Sequence, residues 1–243
     1  MKYSRYKHEL DYSYAQGGSV VYELLCERPD DVIEVVYSPD AKSGDGFEKL
    51  KDLCAKKGVP FSENRKLIDI ISNKGNCFYL GIFRKWKDVI GTGSHIVLVN
   101  PSDAGNVGTI LRTACGFGFR DVAIVRPAVD FFDPKCIRAG MGAHFHERVE
   151  SFDSFEEYLS RFKERTLYAF ELGGKMALSD IKKTKEPYSL IFGNESRGLD
   201  PEVTAECDGV IIKHNSLIDS LSLPTAAAMA IYHFSNITGT EEK

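Results

Sequence analysis

The stretch HIVLVNPSDAGNVGTILRTACGFG, residues 95–118, decides the fold. HIVLVN is continuously apolar and rich in β-branched residues, which reads as a buried strand. NVGTILRTACGFG follows as a helix closed by glycine, and DVAIVRP as the next strand. Toward the C-terminus the alternation continues. DPKCIRAGMGAHF and SFEEYLSRFKERT read as helices, TLYAFEL and YSLIFGN as strands, and DPEVTAEC as a short helix. GVIIKH is another strand, and LPTAAAMAIYHFSNI a final helix that buries its alanine face. Apolar strands alternating with helices indicate an α/β fold with a mostly parallel sheet. In such sheets ligands lie at the carboxyl ends of the strands.

Upstream of His95 the pattern differs. GGSVVYELL reads as a helix, VIEVVYS as a strand, and GFEKLKDLCAKKG as a helix stopped by Gly58. VPFSEN is extended, KLIDIISN a short helix and NCFYLGIF a strand. RKWKDVIGTGS is a polar, glycine-containing linker. We therefore expect two domains, residues 1–88 and residues 89–243. The whole chain of 243 residues is 43% hydrophobic, enough for a sizeable core.

No apolar run reaches the length of a membrane span, and MKYSRYKHELDYSYAQGG has no apolar leader-like segment. The six cysteines show no CxxC or zinc spacing, so we read them as reduced core residues of a cytoplasmic protein. A net charge of -4 argues against a molecule coated in positive potential. It leaves room for a local basic patch, which acts within a Debye length of its target.

Three loops at strand ends have chemical character. In DAGNVGTILRT, Gly105 and Gly108 permit close backbone approach, and Asn106 falls about where a helix N-cap belongs. Arg112 follows between one and two turns later. A glycine turn, a capping asparagine and a snorkelling arginine account for this loop equally well. In FGNESRGLDP, Gly193 lets backbone approach a ligand and Glu195 can face a cleft as a fixed negative charge. Capping by Asp200 and Pro201 explains the end of that segment but not GNESRG. The third loop, SLSLPTAAA, taken alone, reads as a helix start capped by Ser222 or Thr225, with Pro224 in the first turn.

Together the three loops resemble, in order and spacing, the motifs of the SpoU/TrmH branch of the SPOUT superfamily, over about residues 95 to 236. These are RNA 2'-O-ribose methyltransferases that use S-adenosylmethionine. The resemblance implies a parallel sheet with a deep C-terminal trefoil knot, a departure from the usual unknotted chain. It implies a homodimer, with active sites at the subunit interface and ribosomal or transfer RNA as substrate. Carried over residue by residue, the first motif's asparagine and arginine fall on Asn106 and Arg112, and the second motif's glycine and glutamate on Gly193 and Glu195. Ile212 and Leu221 fall on cofactor-lining positions, with Asn194 and Gly198 in the same glycine loop. Phe170 to Leu172 forms another wall, and the contacts should be mostly main chain.

The third motif departs from the family pattern. Ser222 replaces an asparagine, Pro224 a small polar residue, and Lys213 a common proline. A catalytically weakened homologue that only binds RNA is therefore the alternative. A Rossmann oxidoreductase lacks its glycine fingerprint here.

The sulfonium methyl is electrophilic, so the reaction calls for no metal. The obstacle is the weakly acidic 2'-hydroxyl. A guanidinium pKa above about 12 makes Arg112 a poor base, so we assign it to the adjacent phosphate and the developing alkoxide. Asn106 orients Arg112 or the ribose, and Glu195 holds Arg112 or balances the sulfonium. Ser222 completes the catalytic set.

The first domain resembles the small ribosomal-protein-like modules that select RNA in this family. NKGNCFYLGIFRKWK interleaves Lys74, Arg84, Lys85 and Lys87 with Phe78, Tyr79, Phe83 and Trp86. That mixture suits RNA, and equally a half-buried strand running into a charged linker. A histidine or glutamine followed by glycine, usual in the family near Asn76 and Cys77, is absent. His144 and His146 have no third ligand nearby and read as surface or RNA-proximal polar groups.

Overall fold

The computed structural model describes residues 3–44, 46–72 and 76–237. Lys74 lies outside the described residues. The N-terminal elements are β1 (Tyr12–Gln16), α1 (Gly18–Glu27), β2 (Val32–Tyr37), α2 (Gly46–Lys57), β3 (Phe61–Glu63), α3 (Arg65–Ile71) and β4 (Tyr79–Arg84). There follow β5 (His95–Val99), α4 (Ala104–Gly116), β6 (Asp121–Val125), α5 (Pro134–Ala139), β7 (Arg148–Phe152), α6 (Phe155–Arg161) and β8 (Thr166–Phe170). The chain continues with β9 (Met176–Ala177), β10 (Tyr188–Phe192), α7 (Pro201–Thr204), β11 (Asp208–Ile211) and α8 (Leu223–Ile237).

The chain forms two compact units. One comprises residues up to Trp86 together with Asp130–His146, the other Lys87–Val129 with the residues from Glu147 onward. The expected split after residue 88 thus misses an excursion. Residues 130–146 join the first unit because its core needs their apolar side chains. Phe132, Ile137 and Phe145 share one buried cluster with Leu24, Leu25 and Phe83. Polar bonds pin the same segment. Asp130 accepts from the Tyr6 hydroxyl, from Lys85 Nζ at 3.0 Å and from the Phe132 amide at 2.9 Å, and Arg138 donates to Gln16 at 3.1 Å.

The first unit's sheet has the order β1-β4-β2-β3, with β4 antiparallel to β1 and β2. β1 escapes a periodicity reading because its tyrosines and serine look polar, yet Ser13, Tyr14 and Ala15 are all buried. Within the basic-aromatic stretch, β4 is buried at every residue but Arg84. Tyr79 and Phe83 lie in the core, Trp86 packs against it, and Phe78, Arg84 and Lys87 stay exposed.

The histidines also differ from expectation. His144 is 1% exposed, and its ring lies 5.0–5.4 Å from those of Trp86, Phe131 and Phe132. It is a core residue, not a surface one. Burial, with the Arg28 charge adding to it, pushes its pKa down to about 3. His146 is half-buried, 3.0 Å from Glu23 and 3.4 Å from Glu27. Of the free cysteines, Cys54, Cys77 and Cys136 are buried while Cys26, Cys115 and Cys207 are partly exposed.

The second unit is built on a seven-stranded sheet of order β7-β6-β5-β10-β8-β11-β9, parallel throughout. Every residue of β5, β6 and β10 is buried, as continuous apolar runs in a sheet covered on both faces require. The edge strand β7, RVESF, lacks such a run, which hides it from the sequence. The helix expected over DPKCIRAGMGAHF stops at Ala139, because Met141 (φ 52°) and Gly142 (φ 90°) turn the chain left-handed. α8 packs on α4, with Phe117 and Tyr232 rings 5.8 Å apart.

Candidate active site

Three connections leave the carboxyl ends of β8, β10 and β11 and enclose a cavity of about 400 Å³. All seven residues expected to contact a cofactor line it. These are Phe170 and Leu172 after β8, Gly193, Asn194 and Gly198 after β10, and Ile212 and Leu221 after β11. The Phe170 ring stacks on Phe192 at 4.7 Å, giving the cavity a flat apolar wall. Gly193 is there for space. A Cβ on it would lie 2.3 Å from Gly198 backbone atoms. Gly198 closes the turn with a φ of 74°, and Asn194 and Gly198 form a backbone bridge across it.

Glu195 also lines the cavity, and its carboxylate reaches the loop between β5 and α4. Oε2 accepts from the Ser102 amide at 3.0 Å and the Ser102 hydroxyl at 2.5 Å. Oε1 accepts from the Asp103 amide and from Asn106 Nδ2, both at 3.1 Å. Partial burial raises the Glu195 pKa, but these donors and its own amide outweigh it and bring the value down to about 2. Glu195 is therefore a fixed anion near neutral pH, and its partner is Asn106 rather than Arg112.

Asn106 is not the helix cap. Asp103 is the N-cap of α4, and its carboxylate accepts from the Asn106 amide at 2.9 Å. That leaves the Asn106 side chain free to be held by Glu195. Arg112 lies on the exposed side of α4, outside the cavity lining, with no hydrogen bond or ion pair among the described residues. It stands six positions after Asn106, so the two project about 120° apart around the helix. Ser222 does not line the cavity although its neighbours Leu221 and Leu223 do. Its carbonyl accepts from the Ala226 amide at 3.0 Å and its hydroxyl meets that of Thr225 at 2.8 Å. It starts α8.

Glu171 lines the cavity as part of the expected wall, whereas Arg197 and His214 line it without having been assigned a role. Ser102 was missed as well. Nothing in its sequence context distinguishes it from an ordinary loop serine, since its partner lies 93 residues away.

The sequence model of the SpoU rRNA Methylase family matches residues 93–232. The chain belongs to that family. The match covers the second unit's sheet, the cavity and both fastened loops. A relative from Archaeoglobus fulgidus, an uncharacterized tRNA/rRNA methyltransferase, is 31% identical over 198 residues, 78% of this chain and 85% of that protein. The 23S rRNA (guanosine(2553)-2'-O)-methyltransferase RlmP of Bacillus subtilis is 28% identical over 151 residues. That match spans 60% of this chain and 60% of the relative's length. Among solved structures, the AdoMet-bound rRNA methyltransferase from Sinorhizobium meliloti shares the fold with a TM-score of 0.78. It is 24% identical, with 92% of this chain and 86% of that chain covered.

Proposed function

We propose that the chain is an S-adenosylmethionine-dependent methyltransferase acting on a ribose 2'-hydroxyl of ribosomal or transfer RNA. The observation that carries the reading is the cavity at the strand ends, whose wall loop 193–199 is bonded through Glu195 to the loop bearing Asn106. Relatives named as RNA methyltransferases and an AdoMet-bound neighbour of the same fold support it.

The cavity suits that cofactor. Its volume of about 400 Å³ is in the range of small-molecule sites. The stacked Phe170 and Phe192 offer an apolar surface to an adenine, and Glu171 and Glu195 offer negative charge to a sulfonium. Phe170, Leu172, Gly193, Gly198, Ile212 and Leu221 would hold it, largely through main chain. When bound, S-adenosylmethionine supplies an electrophilic methyl group. The protein's own task is to position the ribose oxygen and stabilise its developing charge. Glu195 fixes the Asn106 amide, whose oxygen can then orient the ribose. Arg112 acts as a phosphate clamp and alkoxide stabiliser.

Arg112 lies outside the cavity lining of its own chain, so the reading includes a homodimer in which a second copy brings its arginine to this cavity. The exposed Met229 and Tyr232 of α8, next to Phe117, offer an apolar face for that pairing. The reading also includes the trefoil knot. The chain leaves β11, two strands from β10, and returns as α8 to pack on α4. The first unit, completed by residues 130–146, would select the RNA. A cytoplasmic location suits its free thiols.

Calorimetric titration with S-adenosylmethionine, with NAD as control, tests the reading. Saturation with one equivalent per chain is the expected result. Binding of NAD instead would overturn it.

A further inference from the structure

Asn194 stands in the cavity wall, yet its side chain is committed elsewhere. Nδ2 donates to the Asn100 carbonyl at 2.8 Å. Oδ1 accepts from the amides of Ser196 at 2.9 Å and Arg197 at 3.1 Å. Its backbone exchanges bonds with Gly198 at 3.0 and 2.9 Å. A primary amide offers two donors and two acceptor sites. At Asn194 three of those four are used inside the protein.

The partner at the far end is unusual. Asn100 has a φ of 52°, a left-handed conformation that non-glycine residues keep only where their surroundings hold them. Its amide donates to Val125 at 2.9 Å, so the residue is held from two sides where β5 ends. The turn made there sends the chain through Pro101 to Ser102 and Asp103, whose amides Glu195 receives. Consecutive residues of the cavity wall thus grip the same loop, Asn194 at its root and Glu195 at its crest.

We infer that Asn194 is a positioning residue, which holds the turn at Asn100 so that the loop bearing Asn106 meets Glu195, and that its side chain does not touch the cavity's ligand. The identity of that ligand rests on the methyltransferase reading. The position asks for an amide because one end must donate and the other accept. An aspartate would keep the acceptor for Ser196 and Arg197 but set a carboxylate against the Asn100 carbonyl. A glycine at position 100 would adopt a φ of 52° unaided.

The test compares the native chain with Asn194→Asp, Asn194→Ser and the double variant Asn100→Gly/Asn194→Ser. Amide hydrogen exchange on the ligand-free protein is read at Ser102 and Asp103. Calorimetry with S-adenosylhomocysteine reads the cavity, and methyl transfer to bulk ribosomal and transfer RNA from a host lacking the gene reads activity. In both single variants the two amides should exchange roughly tenfold faster or more, as expected when a hydrogen bond holding them is lost. Affinity for S-adenosylhomocysteine should stay within about threefold while methyl transfer falls by about tenfold or more. Asn100→Gly should restore much of the protection in the serine background, where no carboxylate faces the residue-100 carbonyl, which a general loss of stability would not allow. Loss of S-adenosylhomocysteine affinity with unchanged exchange would overturn the inference and make Asn194 a ligand contact. Failure of the native chain to bind S-adenosylhomocysteine would instead sink the cofactor reading, and the exchange comparison would still decide the role of Asn194.

Discussion

At Glu195 four donors from Ser102, Asp103 and Asn106 converge on one carboxylate. Charge-assisted bonds of this kind are stronger than neutral ones, and here they join two loops. Replacing Glu195 by glutamine puts an amide donor among donors. We expect a loss of about 2 kcal/mol in stability by denaturant unfolding, together with a methylation rate reduced on the order of a hundredfold. The pH dependence follows from the depressed pKa. A carboxylate at about 2 when folded, against an ordinary 4.5, contributes stability that is complete above about pH 4.5 and is lost as pH falls toward 2. The glutamine variant should lack that part of the acid limb. Arg112→Ala should behave differently, keeping native stability and cofactor affinity while the transfer rate falls on the order of a hundredfold. Equal loss of cofactor affinity would show that Arg112 belongs to the cavity. The sequence exposed Glu195 and Asn106 as chemical residues but paired Glu195 with Arg112. A loop contact across 89 residues leaves no trace in local spacing.

The elements most legible in the sequence are those whose burial is uniform, such as β5, β6 and β10. Least legible are β1 and β7, whose polar residues are buried or set at an edge. Residues 143–145, a short 3₁₀ turn, hide the strongest misreading. Among the described residues, neither nitrogen of His144 has a hydrogen-bond partner. A histidine with a folded pKa of about 3 against an ordinary 6.5 must stay neutral, so its contribution is intact above about pH 6.5 and is lost as pH falls toward 3. His144→Phe should fill the same aromatic cluster without a titrating group. We expect its melting temperature to exceed the native value at pH 5 by more than at pH 7.5, measured in parallel scans. A difference that does not grow on acidification would contradict the burial argument.

For the whole molecule, the apolar alternation reveals the parallel sheet, but no local pattern could reveal that the first unit borrows residues 130–146. Phe132, Ile137 and Phe145 supply three side chains to that core. At about 2 kcal/mol for each buried side chain, their removal costs roughly 6 kcal/mol, comparable to the whole stability of a small domain. A fragment ending at Trp86 should therefore fail to fold cooperatively, and a sharp two-state melt from it would show that the first unit's core does not need residues 130–146. The central claim is methyl transfer to a ribose oxygen, and its most direct test follows the methyl group. The protein is incubated with S-adenosylmethionine carrying a tritiated methyl and with bulk RNA from a host lacking the gene, and the RNA is then digested in alkali. A methylated 2'-oxygen cannot attack its neighbouring phosphate, so the label should appear in alkali-resistant dinucleotides. Label recovered in mononucleotides would mean methylation of a base, and would contradict the account.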